Sequence, residues 1–259
     1  MISEGKGKST RTRNVQSVLN ISPTWTKKVC STCHMTYNPS VSVDASVHKK
    51  YHSDFMSGIN WTATLGSKSL ETVTLVSSKK SSKLGQLKSS VTRETKRVVI
   101  HTIDKQNKRQ VSKVEEILKM VNTELNAADD SKQWRSLAFD SSKAFILVLD
   151  NKAIGICTTD SINHAQWLIL KNQKIVPDRK LDGFCIGISR IWIAPKWRNH
   201  GLAGSLLQCV MKNSVYGKIL SRHQIAFSQP SFGGGLLAKS FNGVMHKSGE
   251  VLIPVYTEK

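Results

Sequence analysis

The stretch SRIWIAPKWRNHGLAGSLL, residues 189–207, changes character at its midpoint and so constrains the fold around it. It opens as an apolar, β-branched run from Ser189 to Ile193, which suits a buried strand. Pro195 ends that run, since proline has no N–H to give a ladder. A short basic turn from Lys196 to His200 follows, and behind Gly201 comes an apolar, helix-forming segment expected over residues 201–214. A strand that runs through a glycine turn into a helix needs a layered sheet-and-helix domain. It also leaves the first amides of the helix without internal partners, at the electropositive end of the macrodipole. Gly201 and Ala203 keep bulk away from those amides, and Arg198 and His200 add donors. A phosphate or diphosphate is the guest such an end accommodates. Taken alone the pattern is weak, because glycine turns before helices are common.

The neighbouring segments read as mixed α/β. KRVVIHTI reads as a strand, and Ser112 with Glu115 matches a capping box before a helix carrying Val114, Ile117, Leu118, Val121 and Leu125 on one face. KAFILVLD and AIGICTT flank Asp150-Asn151-Lys152 as a hairpin. AQWLIL, CIGISRIWI, IAFS (residues 225–228) and VLIPVY supply further strands, with a short helical piece near 235–241. Gln229-Pro230 ends the IAFS strand, and a proline there can hold two neighbouring strands apart, opening a cleft beside the anion site. The expected fold class is therefore α/β (α+β), a mixed, mostly antiparallel sheet with flanking helices, over residues 96–259.

A second constraint is Cys30-x2-Cys33, fourteen residues, then His48-x3-His52. Two thiolates on a tight turn and two histidines one helical turn apart close a tetrahedron around Zn2+ with no open position, so the site is structural. A small ββα-like zinc finger is expected over residues 30–65. It is solitary, and its helix, DASVHKKYH, carries few base-reading side chains, which favours docking or positioning. Residues 1–29, basic and without apolar period, read as a disordered tail. Residues 66–95, heavy in Ser and Lys, read as a flexible linker.

The net charge of +20 is unevenly spread: residues 66–113 hold twelve Lys and Arg against Glu71, Glu94 and Asp104. That balance attracts polyanions, so DNA or chromatin is the natural partner class, with a solvated linker or a nuclear-import patch as the plainer readings. No run approaches the roughly 18 apolar residues of a membrane span, and the first residues show no apolar leader. Five cysteines, only two of them closely spaced, do not suggest a disulfide framework. Cys157, Cys185 and Cys209 lie in apolar runs and read as small buried hydrophobes.

Arg198-x-x-Gly201-x-Ala203 behind a strand resembles the acetyl-coenzyme A motif of the GNAT acetyltransferases. The longer segments CIGISRIWIAPKWRNHGLAGSLL, VYGKILSRHQIAFSQP, FNGVMHKSG and LIPVY, together with the Cys2His2 unit, resemble the cohesin acetyltransferases that establish sister-chromatid cohesion, in the yeast-like branch. The resemblance implies a GNAT fold, acetyl-coenzyme A as donor, and a lysine of the cohesin SMC subunit as acceptor. It also implies a nuclear enzyme working with DNA replication. The cofactor contacts it implies are Ile191, Trp192 and Ile193 along the strand edge, then Arg198, Asn199, His200, Gly201, Leu202, Ala203 and Gly204 at the diphosphate. Ser231, Phe232 and Gly233 would lie near the pantetheine arm.

Proton removal is where the sequence departs from the family pattern. Ser189 matches a serine implicated in animal relatives, but Gln208 and Gln229 stand where those relatives carry Glu and Asp, and an amide is no base. The expectation is a water relay ordered by Ser189 and Gln229, with a carboxylate of the substrate or Asp182 assisting and Tyr216 protonating the leaving thiolate or else packing at a helix end. In the tail, QSVLNIS (Gln16, Leu19) faintly resembles a sliding-clamp-binding peptide without its paired aromatics. The competing class of function is a non-catalytic zinc-finger chromatin adaptor.

Overall fold

A computed structural model describes residues 27–80, 91–127 and 141–258. The clamp-like peptide around Gln16 and Leu19 lies outside them, as does most of the expected tail. Strands β1 (Lys28–Val29) and β2 (Thr36–Tyr37) form a small antiparallel pair, followed by helix α1 (Ser42–Ser57). This is the expected ββα unit, beginning two residues earlier than the spacing of the ligands suggested.

The unit is not tethered loosely. Strand β3 (Ile59–Asn60) leaves α1 through Gly58 (φ 97°), where a Cβ would stand 2.6 Å from the Ala153 carbonyl oxygen. Only glycine serves there, because the backbone is left-handed and the sheet approaches closely. Ile59 then pairs with Ala153, and Cys33, Phe55, Ile59 and Trp61 are buried in the same core as the sheet.

Strand β4 (Lys68–Lys80) pairs along its whole length with β5 (Val91–Thr102), antiparallel. The flexible-linker reading therefore does not hold for residues 68–80 and 91–95, while residues 81–90 lie outside the described residues. Within SLETVTLVSS, Val73 and Leu75 turn inward while Thr72, Thr74 and Val76 stay exposed, with a bulge between Ser69 and Glu71. That period-2 pattern, rich in Val and Thr, is a strand signal. The Ser/Lys-rich flanks masked it. The long strands of the main sheet accordingly begin at Lys68 rather than near residue 96.

Helix α2 (Lys108–Leu125) starts four residues before the expected capping box. Asn107 caps it, its Oδ1 accepting from the amides of Arg109 and Gln110, so Ser112 lies inside the helix. Strands β6 (Lys143–Leu149) and β7 (Lys152–Ser161) form the expected hairpin, with both turn residues, Asp150 (φ 49°) and Asn151 (φ 58°), left-handed. Then come β8 (His164–Ile169), β9 (Lys174–Asp182), which the sequence reading missed, and β10 (Ile186–Ile193). Helix α3 (Leu202–Asn213), β11 (Ile225–Phe227), α4 (Phe232–Asn242), β12 (Val244–Met245) and β13 (Val251–Val255) finish the chain.

The main sheet runs β4-β5-β6-β7-β10-β11-β13-β8-β9, with β3 on β7 and β12 on β13. Only β10–β11 and β11–β13 are parallel. Val98, Ile100, Phe145, Ile146 and Leu147 of the sheet, Val114, Ile117, Leu118 and Val121 of α2, and Leu202, Leu206, Leu207 and Val210 of α3 make one continuous core. No helix of the described residues is long and apolar enough to cross a membrane.

Candidate active site

The site arises where β10 and β11 part. Their parallel pairing covers only Ile186↔Ile225, Gly187↔Ala226 and Ile188↔Phe227. On its other side β10 stays paired to β7 as far as Ile193, with a register shift between Ile188 and Arg190 that places a bulge at Ser189. The last links across the gap are from Ser228, whose amide donates to the Ile188 carbonyl (2.9 Å) and whose hydroxyl donates to the Ser189 carbonyl (2.8 Å). Gln229-Pro230 then turns away, and Ser231 caps α4, accepting from the Gly234 amide (3.3 Å). From Ser189 onward one edge of β10 lacks a strand partner among the described residues. The resulting cleft, about 350 Å³, is lined by residues 188–191, 227–231, 256–258 and the end of α2 at 125–127.

Beyond β10 the chain makes a 3₁₀ turn, Pro195–Trp197, on which α1 packs. Asn199 (φ 62°) and Gly201 (φ 76°) are both left-handed and bracket His200, whose Nδ1 lies 2.7 Å from the Arg198 carbonyl oxygen. Gly201 is the N-cap of α3 and offers no side-chain cap; the first helical bond runs from Ser205 N to Gly201 O (3.1 Å). The amides of Leu202, Ala203 and Gly204 thus have no intrahelical acceptor. Nothing lies within 4 Å of where a Cβ on Gly201 or Gly204 would stand. Arg198 does not reach freely into this space. Its Nε donates to the Ile193 carbonyl (2.9 Å) and its Nη2 to Glu124 Oε1 of α2 (2.6 Å), so it braces the turn. Glu124 also accepts from Trp192 Nε1.

The residues expected from the sequence divide into two groups. Ser189, Ile191, Gln229 and Ser231 line the cleft, and Phe232 and Gly233 are exposed beside it at the start of α4. Ser189 Oγ is 2.8 Å from Thr158 Oγ1, which fixes its rotamer across the β10–β7 ladder. Trp192 is buried, its indole turned toward α2, so only its backbone belongs to the open strand edge. Gln208 and Tyr216 do not join the cleft lining: Gln208 is exposed on α3, and Tyr216 is fully exposed in the turn after it, so it does not pack at the helix end either. Asp182 is exposed on β9 and borders a separate depression with Trp167 and His223.

Two carboxylates that the sequence reading left without a role stand at or behind the cleft. Asp160 on β7 accepts from Tyr256 Oη (2.6 Å) and Ser142 Oγ (2.8 Å). Burial, reinforced by Asp160, holds the Tyr256 phenol well above its ordinary range. Glu258 lines the cleft and pairs with Arg190, whose side chain is 5% exposed. Arg190 also donates to Asn122 Oδ1 (2.8 Å) and to the Ser189 carbonyl (2.8 Å). The only sequence signal for these partners was a charged residue, Arg190, inside an apolar strand, which demands a counter-charge.

In the finger, the ligand atoms of Cys30, Cys33, His48 and His52 all lie within 4.8 Å of one another. Cys30 Sγ is 3.5 Å from His52 Nδ1, Tyr37 stacks on His48 at 3.8 Å, and His48 Nε2 is buried with no hydrogen-bond partner. An orphaned buried imidazole nitrogen facing two thiols fits tetrahedral zinc. Amides of Cys33 and Thr32 lower the Cys30 thiol to about 5, as a metal-binding thiolate requires, while burial raises Cys33. Burial likewise pushes Cys209 up to about 12, consistent with an inert core thiol.

The family described as "ESCO1/2 acetyl-transferase" matches residues 183–251, the "zinc-finger of acetyl-transferase ESCO" residues 16–54, and the "Acetyltransferase (GNAT) family" residues 113–214. The chain is 48% identical to N-acetyltransferase ECO1 of Debaryomyces hansenii, over 95% of this chain and 90% of that one. It is 33% identical to N-acetyltransferase ECO1 of Saccharomyces cerevisiae, over 88% of each. Among solved structures, "Structure of xEco2 acetyltransferase domain bound to K105-CoA conjugate" superposes with a TM-score of 0.50 at 21% identity, covering 62% of this chain and 92% of that one, a likeness of fold.

Proposed function

Because the chain belongs to the Eco1/ESCO family of N-acetyltransferases, we propose that it transfers the acetyl group of acetyl-coenzyme A to a lysine of the cohesin SMC subunit, in the nucleus and in step with DNA replication. The observation that carries this reading is the parting of β10 from β11 directly beside an uncapped helix start. A diphosphate fits the amides from Asn199 to Gly204. Pantetheine fits the free edge from Ile191 to Ile193, bonding as an added strand would. Ser231, Phe232 and Gly233 then flank the arm, and the thioester lies in the gap at Ser189. Arg198, braced by Glu124, holds the turn in shape.

The acceptor amine must lose a proton before it attacks, since a free lysine is almost wholly charged near neutral pH. Ser189, held by Thr158, and Gln229 at the cleft mouth suit a water relay for that proton. The basic strands β4 and β5 suit a polyanion, so chromatin DNA remains a partner of the proposal.

Coenzyme A tests the donor half. At one hundred times its dissociation constant it should add about 2.7 kcal/mol of stability, read as a thermal shift. Acetylation of a purified SMC head tests the acceptor half. No shift with coenzyme A, together with no transfer, would leave the adaptor reading. A full transfer rate in both Ser189→Ala and Gln229→Ala would remove the relay.

A further inference from the structure

The last residues of the described chain put a carboxylate at the cleft, while the positions where the family pattern carries acids hold Gln208 and Gln229 here. We propose that Glu258 is a catalytic residue: it receives the ammonium of the acceptor lysine in the β10–β11 cleft and takes its proton. The proposal rests on the acetyl-transfer reading above.

The argument begins with Arg190. Its guanidinium is buried, and a single Nη1 donates both to the Ser189 carbonyl at the bulge and to Glu258 Oε1. The carboxylate therefore stands one shared donor away from the bulge at which the strands part. It lines the same cleft as Ser189 and Gln229, and its side chain is 34% exposed, open to an entering cation. Arg190 engages one carboxylate oxygen, and a carboxylate has about four acceptor positions, so room remains for an N–H donor or a bridging water. Asp160, a second acid near the cleft among the described residues, is committed on both oxygens to Tyr256 and Ser142. Among the described residues, the groups facing Glu258 include Arg190 from β10 and the Tyr256 phenol, with Asp160 of β7 beyond. In a chain of net charge +20, Glu258 sets a carboxylate at a cleft that, on the acetyl-transfer reading, accepts a cation.

The step balances. One N–H bond of the ammonium breaks and its proton passes to Glu258, directly or through one water. The freed amine lone pair forms the N–C bond to the thioester carbonyl, and the C–S bond breaks as its pair goes to sulfur. The second nitrogen proton ends on the thiolate, giving coenzyme A thiol and the amide. Glu258 afterwards returns its proton to solvent.

The test uses the full chain, acetyl-coenzyme A and a purified SMC head, with single-turnover rates followed against pH. Glu258→Gln should bind coenzyme A as the parent does yet transfer acetyl about a hundredfold or more slowly near neutral pH, the usual contribution of a general base. Its rate should climb about tenfold per pH unit as free amine accumulates, closing the gap at alkaline pH. Glu258→Asp keeps the charge beside Arg190, and hence the fold, but shortens the reach. It should lose at least about tenfold with donor affinity unchanged. A counter-ion role alone would lower the melting temperature and depress the rate equally at every pH. That uniform loss, or a Glu258→Asp rate within about threefold of the parent, overturns the proposal. Failure of the parent itself to bind coenzyme A would sink the acetyl-transfer reading instead.

Discussion

Replacing Gly204 with Asp separates the stability of α3 from its proposed role in holding an anion. Gly204 is the third residue of the helix, and no atom lies within 4 Å of its missing Cβ, so a side chain fits without displacing anything. Asp is a slightly better helix former than Gly, by about 0.3 kcal/mol, and a carboxylate in the first turn gains about 0.3–1 kcal/mol from the macrodipole. The variant should therefore melt at or slightly above the parent, by about 2–4 °C. Its effect on the ligand is opposite. A carboxylate about 4 Å from a bound phosphate costs about 1 kcal/mol if fully screened by water and about 4 kcal/mol at the effective dielectric of a protein surface. The turn is open to solvent, with Asn199, His200 and Gly201 exposed, so the loss should fall between about fivefold and a thousandfold. Titration of coenzyme A by calorimetry, beside a melting curve of the free variant, reads both effects. An unchanged dissociation constant in a properly folded variant would mean that the diphosphate does not sit on these amides.

Chelating the finger metal should lower the melting temperature of the whole domain by about 5 °C or more, not merely unfold a tail, because Phe55, Ile59 and Trp61 share the sheet's core; an unchanged transition in chelator would contradict that coupling. Gly187→Ala should cost about 1–3 kcal/mol in denaturant unfolding, since its Cβ would stand 2.4 Å from the Tyr256 ring; a neutral result would mean the ring moves freely. Tyr256 is held protonated in the fold while the unfolded chain ionises near pH 10. The unfolded state then binds fewer protons above that pH, so stability should fall as pH rises beyond about 10, and Tyr256→Phe should flatten that limb of the pH–stability curve.

What could be read from residue order was what local pattern and local spacing determine. The β6–β7 hairpin follows from two turn residues able to adopt positive φ, α3 from an apolar run behind Gly201, and the finger from four ligands at fixed gaps. The strand β4 was hidden for a compositional reason. Its inward residues, Val73 and Leu75, are few, and Lys68, Ser69, Thr72 and Thr74 beside them are exposed on an edge strand, where nothing forces apolar character. The helix cap was misplaced because two cap-like signals lie five residues apart, and the tertiary contact decided between them: buried Gln110 reaches the Leu65 carbonyl (2.9 Å) and accepts from the Asp104 amide (2.8 Å), which fixes the helix start beside Asn107. The cleft's chemistry was the least legible part. Arg190 and Glu258 lie 68 positions apart, and so do Arg190 and Asn122; no periodicity links such pairs. A family pattern looks for its acid at fixed places in the motif, whereas a proton needs only an acceptor within reach of the amine. A buried arginine in a central strand obliges the fold to bring an acid to it from anywhere in the chain, and that obligation brings Glu258 to the gap between β10 and β11.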